Sequence, residues 1–166
     1  RVVIGADFVT AASGGKKSDS ISLPWEGLVP KTRAADERVG FVTVPTTAGT
    51  GSEVGRSAII ADDVTHQKKI LFSPKLLAKV VFADPMLTMD LPAPVTAATG
   101  MDALTHNMEA FIAKMPHPIC DGIALEGISL IHDSLEQAVK KPDVESRSKM
   151  LIASMMGAIA FQKGLG

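Results

Sequence analysis

A single cysteine, Cys120, stands in the 166-residue chain, which excludes an internal disulfide, and no Cys-x-x-Cys spacing offers a thiolate metal site or a redox pair. That usage fits a reducing compartment. Charge of one sign is lacking too. The net charge of −1 gives no basic field for nucleic acid and no polybasic face for an anionic membrane. No run approaches the ~18 apolar residues that a membrane span needs, and the N-terminus has no basic segment leading into a long apolar one. The chain has neither a P-loop lysine nor a G-x-G-x-x-G spacing, and no serine or cysteine finds a histidine partner by local motif. Internal repeats are absent. The expectation is a soluble, cytoplasmic protein acting on a small molecule, with no nucleic acid and no membrane as partner.

What is present is ordinary globular composition, 46% hydrophobic and 21% charged, in the length range of one domain. The chain opens on Arg1 and the apolar run Val2-Val3-Ile4, and closes on Gly164-Leu165-Gly166 directly after a helical pattern, so a fragment of a longer protein is expected. Val2 to Ile4 reads as a short strand, and Ser13 to Arg38, rich in Gly, Ser, Lys and Pro, as a long connection with Trp25 its one aromatic anchor. Val39 to Val44 is β-branched and aromatic and reads as a buried strand. Ser57 to Ala61 and Lys69 to Phe72 read as an antiparallel pair across the polar turn Asp62 to Gln67, and Lys79 to Ala83 as a further strand ended by Asp84-Pro85.

Past Leu91 the period becomes helical. Pro92 and Pro94 suit a helix entrance, and one helix or a pair of short helices is expected from about Pro94 to Lys114 with Gly100 as the weak point. A second should run from about Asp121 to Lys140 with Ile128, Ile131, Leu135 and Ala138 on its apolar face. Asp143 should cap a third, reaching about Lys163, with Met150, Leu151, Ser154, Ala158 and Phe161 as its stripe. The fold class is thus an α/β part followed by an all-helical part, with a seam near residue 90 where a ligand cleft would be expected.

Two stretches could carry chemistry. Thr46-Thr47-Ala48-Gly49-Thr50-Gly51-Ser52-Glu53 leaves a strand with glycines that let backbone N–H groups approach an anion, and with hydroxyl donors at the same place. Phosphate is the obvious guest, and a plain polar turn is the alternative. Asp102 and His106, four apart on the expected helix, present a carboxylate and an imidazole from one face. That pair suits Zn²⁺ or Fe²⁺, and the alternative is a solvated intrahelical hydrogen bond. Glu109 reads as solvated, His66, His117 and His132 as surface residues, and Cys120 as a small buried hydrophobe.

Taken together, Pro45 to Glu53, Asp84-Pro85 with Leu87-Thr88, Leu91-Pro92, Ala97 to His106 and Glu109-Ala110 resemble the iron-containing (group III) alcohol dehydrogenase family in order and spacing. The resemblance runs from about Val39 to Gly166 and covers the family's central part. It implies the dehydroquinate synthase-like architecture: residues 1–90 as a partial α/β dinucleotide-binding domain, divergent over 1–38, and residues 91–166 as a partial helical metal-binding domain. It implies NAD or NADP and a divalent metal, Fe²⁺ or Zn²⁺. Thr46, Thr47, Gly49 and Thr50 would contact the cofactor with Ser52 nearby, Lys68 would reach its ribose region, Leu87 would border it, and Asp102 and His106 would be two metal ligands. The implied reaction is hydride transfer between a small alcohol and its aldehyde or ketone, the metal acting as a Lewis acid, with no side-chain nucleophile.

The chain departs from the family pattern in three ways. Two further histidine ligands would follow a Gly-Leu-Gly like residues 164–166. The family's Gly-Gly-Gly-Ser loop is replaced near the start by Gly5-Ala6-Asp7 and a displaced Gly14-Gly15. The upstream strand whose acidic residue helps choose NAD over NADP is missing. The fragment is accordingly expected to be impaired or inactive by itself. A metal-independent reductase of the maleylacetate reductase kind, and a non-catalytic remnant that binds only a nucleotide or a partner chain, are the competing readings, and a homo-oligomer fits the last.

Overall fold

A computed structural model describes residues 42–61 and 67–164. The strand expected at Val2–Ile4, the connection Ser13–Arg38, the stretch Val39–Phe41 and the turn around His66 lie outside the described residues. By their contacts the described residues form two compact units, one of residues 42–44 and 55–82, the other of residues 45–54 and 83–164.

In the strand unit, β1 (Val42–Thr43) pairs in parallel with β4 (Val80–Val81), and β2 (Ser57–Ala61) pairs antiparallel with β3 (Lys68–Phe72). The β2–β3 register sets Ala58 opposite Leu71 and Ile59 opposite Ile70. Successive side chains alternate between faces, so Ala58 and Leu71 are buried with Ile60 and Leu76 against them, while Ile59, Ile70 and Phe72 are exposed. The Arg56 guanidinium covers the Phe72 ring at 4.6 Å, shielding part of that apolar face. The expectation of a buried strand at Val44 is corrected, for Val42 and Val44 are exposed. Among the described residues β1 has a strand neighbour on one edge only.

In the helical unit, α1 (Ala93–Ile112), α2 (Pro118–Lys140) and α3 (Val144–Ala160) follow one another, and a 3₁₀ turn, Phe161–Lys163, extends the last. Their ends obey local chemistry. Pro94 lies in the first turn of α1, where its missing N–H is no loss. Asp143 caps α3 by accepting the Ser146 N–H at 2.7 Å while the Ser146 hydroxyl reaches back to the Asp143 N–H, a closed capping box. His117, expected as a surface residue, is exposed and caps α2: its Nδ1 accepts from the Cys120 N–H at 3.3 Å, and its own N–H donates to Asp121 Oδ2 at 3.1 Å. This cap explains why α2 begins at Pro118, three residues ahead of the expected start. No described helix is long and apolar enough to cross a membrane.

The helices meet through small residues. Thr96, Gly100, Ala103, Asn107 and Ala110 form the buried stripe of α1, and Ala124, Gly127, Ile131, Ser134 and Ala138 that of α2. Ile128 and Leu135, expected within the α2 stripe, are half-buried at its border. Ala and Gly let the backbones approach so closely that they, rather than the large side chains, set the contact face. Gly100, expected as a weak point, lies inside a continuous helix. A Cβ there would come 2.3 Å from Leu135 Cδ1, so the Leu135 side chain occupies the space that the glycine, unfavourable by helix propensity, leaves open. Cys120 is half-buried against the Ala110–Ala124–Ala160 cluster, because the small residues around it leave it at the edge. The α3 helix is buried over most of its circumference. It packs against α1 and α2, and also against the 3₁₀ turns Ser52–Val54 and Pro85–Thr88.

One polar side chain joins all three helices. Asn107 is fully buried, and its Nδ2 donates to Ala103 O at 2.9 Å and to Ala153 O of α3 at 3.0 Å. It fills a slot that exists only because Gly127 and Gly157 lack side chains: a Cβ at Gly127 would stand 2.1 Å from Asn107 Oδ1, and one at Gly157 2.8 Å from Nδ2. At the other end of the unit, buried Arg147 donates to Thr96 Oγ1 at 2.8 Å and to Leu91 O at 3.3 Å, fixing the entrance of α1 to α3. Gly127→Ala should therefore destabilise the protein by about 1–3 kcal/mol through overpacking. Gly122→Ala, on the same helix but with nothing within 4 Å of the new methyl, should stabilise it by about 0.5–1 kcal/mol. Urea unfolding midpoints of the two variants should move in opposite directions.

Candidate metal and cofactor site

Because Asn107 faces inward, the rotation of α1 about its axis is fixed, and at about 100° per residue the neighbouring His106 lies on the adjacent face with Asp102 one turn before it. His106 Nε2 stands 3.5 Å from Asp102 Oδ1. That exceeds the ~2.7–3.2 Å of an ordinary N–H···O bond. It matches the ~3.4 Å separating two ligands of one tetrahedral ion that each bind at about 2.1 Å. The other ring nitrogen, Nδ1, is buried without a hydrogen-bond partner. Phe161 meets the imidazole edge-on, with ring centroids 5.4 Å apart and planes at 85°, and so holds its plane. The side chains of His106 and Asp102 are 21% and 44% exposed, so a ligand can reach both. The oxygen–nitrogen donor set and its spacing fit a divalent ion such as Zn²⁺ or Fe²⁺. Among the described residues no group of three or more His, Cys, Asp or Glu side chains comes together to hold a metal.

The ring of Phe161 is itself held in place. The 3₁₀ turn that carries it ends at Lys163, whose buried ammonium pairs with Asp121 at the start of α2. The Lys163 hydrogen bond, more than any other influence, holds the Asp121 carboxyl below its ordinary value. The sequence identified Phe161 as part of a packing stripe, and nothing in its spacing announced a contact with His106.

The loop 45–54 belongs to the same unit as α1. The Thr50 hydroxyl donates to Asp102 Oδ2 at 2.8 Å. Gly49 is buried next to α1, where a Cβ would lie 3.2 Å from Thr99 Cβ and 3.3 Å from Asp102 Oδ2. Gly51 has φ +64°, and a Cβ on it would lie 2.3 Å from Ser154 O of α3. Both the backbone conformation and the closeness of approach require glycine there. Thr46, Thr47 and Ser52 are exposed along the loop. Leu87 is exposed on the Pro85–Thr88 turn, which Asp84 caps by accepting the Met86 N–H at 2.9 Å. Lys68 opens β3 in the strand unit and is exposed. The structure thus gathers Gly49, Thr50, Asp102 and His106 around one point, and places Thr46, Thr47, Ser52 and Leu87 on the surface of the same unit. Glu109, His117 and His132 are exposed, as expected of solvated residues.

Glu53, at the end of this loop, is 7% exposed, and its Oε1 has no hydrogen-bond partner. Burial pushes its carboxyl above the ordinary 4.5. A carboxyl raised in the folded state favours folding while protonated and loses that contribution as pH rises from its unfolded value through the folded one. Glu53→Gln removes the buried charge. It should raise the unfolding midpoint at neutral pH and flatten the loss of stability on going up from about pH 4.5; urea titrations across that range compare the two proteins.

A family model described as iron-containing alcohol dehydrogenase matches residues 5–85, and one described as the C-terminal part of the Fe-containing alcohol dehydrogenase family matches residues 96–165. Among curated relatives, 4-hydroxybutyrate dehydrogenase of Cupriavidus necator is 42% identical over 176 residues, covering 98% of this chain and 46% of that protein. Among solved structures, an alcohol dehydrogenase from Oenococcus oeni is 39% identical with a TM-score of 0.73, over 77% of this chain and 34% of that one. The sulfoacetaldehyde reductase of Bifidobacterium kashiwanohense in complex with NAD⁺ is 30% identical with a TM-score of 0.75, over 93% of this chain and 41% of that one. The chain therefore spans less than half the length of each.

Proposed function

Since the chain belongs to the iron-containing alcohol dehydrogenase family, of which it spans a part, we propose that the whole protein transfers hydride between a small alcohol and NAD or NADP. The carbonyl partner is the corresponding aldehyde or ketone, and one divalent ion, Fe²⁺ or Zn²⁺, assists. The observation that carries this reading is the facing of Asp102 Oδ1 and His106 Nε2 at 3.5 Å beside a loop that touches the same carboxylate. Relatives described as 4-hydroxybutyrate dehydrogenase and sulfoacetaldehyde reductase act, by those names, on alcohol and aldehyde groups, which supports the substrate class. The α/β nucleotide-binding and helical metal-binding division at about residue 90 belongs to the same proposal.

In this reading Asp102 and His106 hold the ion, which supplies Lewis acidity at the alcohol oxygen when bound. The chain's own residues do the rest by position. Phe161 keeps the imidazole plane from turning. The glycines at 49 and 51 bring the loop close to α1 and α3; Thr46, Thr47 and Ser52 present hydroxyl donors to the cofactor, while Gly49 and Thr50 offer it only their backbone, the Thr50 hydroxyl being bonded to Asp102. Lys68 offers a cation to its ribose region, and Leu87 an apolar border. No side chain of this set needs to act as a nucleophile; the nicotinamide, when bound, would supply the hydride chemistry.

A metal-independent reductase of the maleylacetate reductase kind would have no use for an oxygen–nitrogen pair at ligand spacing. Chelator treatment of the full-length protein should abolish alcohol oxidation, and returning Zn²⁺ or Fe²⁺ should restore it. Asp102→Ala and His106→Ala should each lower kcat/KM at least ~100-fold, the loss of several kcal/mol of charge stabilisation. Activity that survives both the chelator and these substitutions would favour the metal-independent reading.

A further inference from the structure

Thr50 reads from its motif as a cofactor contact, but its hydroxyl is committed elsewhere. It donates to Asp102 Oδ2 at 2.8 Å, while the other carboxylate oxygen, Oδ1, is the one that faces His106 Nε2. An aspartate free to rotate about its last torsion can offer either oxygen or both. A hydrogen bond to one of them holds the carboxylate in a single orientation and leaves a defined lone pair on the other. With an ionised acceptor, such a bond is also short and strong.

The donor is held as firmly as the acceptor. On one side of Thr50, Gly49 is buried against Thr99 and Asp102 of α1; on the other, Gly51 lies so near α3 that a Cβ would meet Ser154 O at 2.3 Å and Ala158 Cβ at 2.7 Å. The backbone on both sides of Thr50 is therefore fixed to a helix, and the hydroxyl reaches Asp102 without a freely moving segment between them.

We infer that Thr50 is a positioning residue for the metal carboxylate: it orients Asp102 so that one oxygen is presented to a divalent ion together with His106. This rests on the reading that Asp102 and His106 hold the ion. Partners that orient metal ligands contribute about 10–100-fold to metal affinity.

The test uses full-length protein freed of metal, titrated with Co²⁺ and followed by the visible absorption of the bound ion, with NADH affinity measured separately on the metal-free protein by fluorescence. Thr50→Val keeps the shape but removes the donor, and should weaken Co²⁺ binding about 10–100-fold while changing NADH affinity by less than about threefold. Thr50→Ser restores the donor and should return Co²⁺ affinity to within about threefold of the parent, which a purely packing role for the side chain would not do. If Thr50→Val binds Co²⁺ like the parent while Asp102→Ala does not bind it, the positioning role is refuted and the metal site stands. If Asp102→Ala binds Co²⁺ as tightly as the parent, the metal-site reading itself fails and the inference falls with it.

Discussion

The helical unit depends on one buried amide. Asn107 can lie among three helices because two glycines make room for it and two backbone carbonyls accept its protons. An amide buried without such partners would cost on the order of 1–3 kcal/mol. The requirement is therefore strict: the three backbones must approach to the distance this side chain allows, with α1 turned so that residue 107 points inward. Everything functional on α1 inherits that rotation. Asp102 and His106 stand on a face next to the buried stripe, partly covered and still reachable. Leu104 and Met108, two residues further on from each, fall about 200° round the helix and line an open apolar groove with α2 of about 600 Å³. This groove carries no part of the donor set.

Arg147 and Glu53 are both buried in this unit, and they differ in what they hold. Arg147 spends its guanidinium on Thr96 and Leu91 and so fixes the entrance of α1, a structural use. Glu53 has a carboxylate oxygen with no partner and ends the loop that carries Gly49, Thr50 and Gly51. Each keeps a buried polar atom without a hydrogen-bond partner, Nε in Arg147 and Oε1 in Glu53, so such an atom does not by itself mark a functional site.

Much of this was legible in the sequence, for identifiable reasons. Helix ends are decided by local chemistry, so Asp143 and the prolines at 92 and 94 announced α3 and α1. The i, i+4 spacing of Asp102 and His106 follows from helix geometry alone. The loop and the two central motifs carried the family. What was not legible depends on partners distant in the chain. Gly100 looks like a helix breaker until Leu135 is seen against it. Of the expected α2 face, Ile131 and Ala138 are buried, whereas Ile128 and Leu135 lie at its border and Ala124, Gly127 and Ser134 complete the contact. Val44 looked buried because β-branched residues usually are, and its exposure depends on which strands adjoin β1. That Thr50 meets Asp102 cannot be read from either motif, since the two lie 52 residues apart and each makes sense by itself.

The approach of Gly51 to Ser154 also bears on the order in which the molecule takes shape. Those residues are about a hundred positions apart, and contacts of such separation are entropically expensive to close. The loop leaves the ribosome well before α3 exists, so until that helix has been made and docked Thr50 is held against α1 from the Gly49 side alone. Helix α1 can form early from its own sequence with Asp102 and His106 in register. The hold on Thr50 from both of its sides is therefore completed late in folding, when α3 docks.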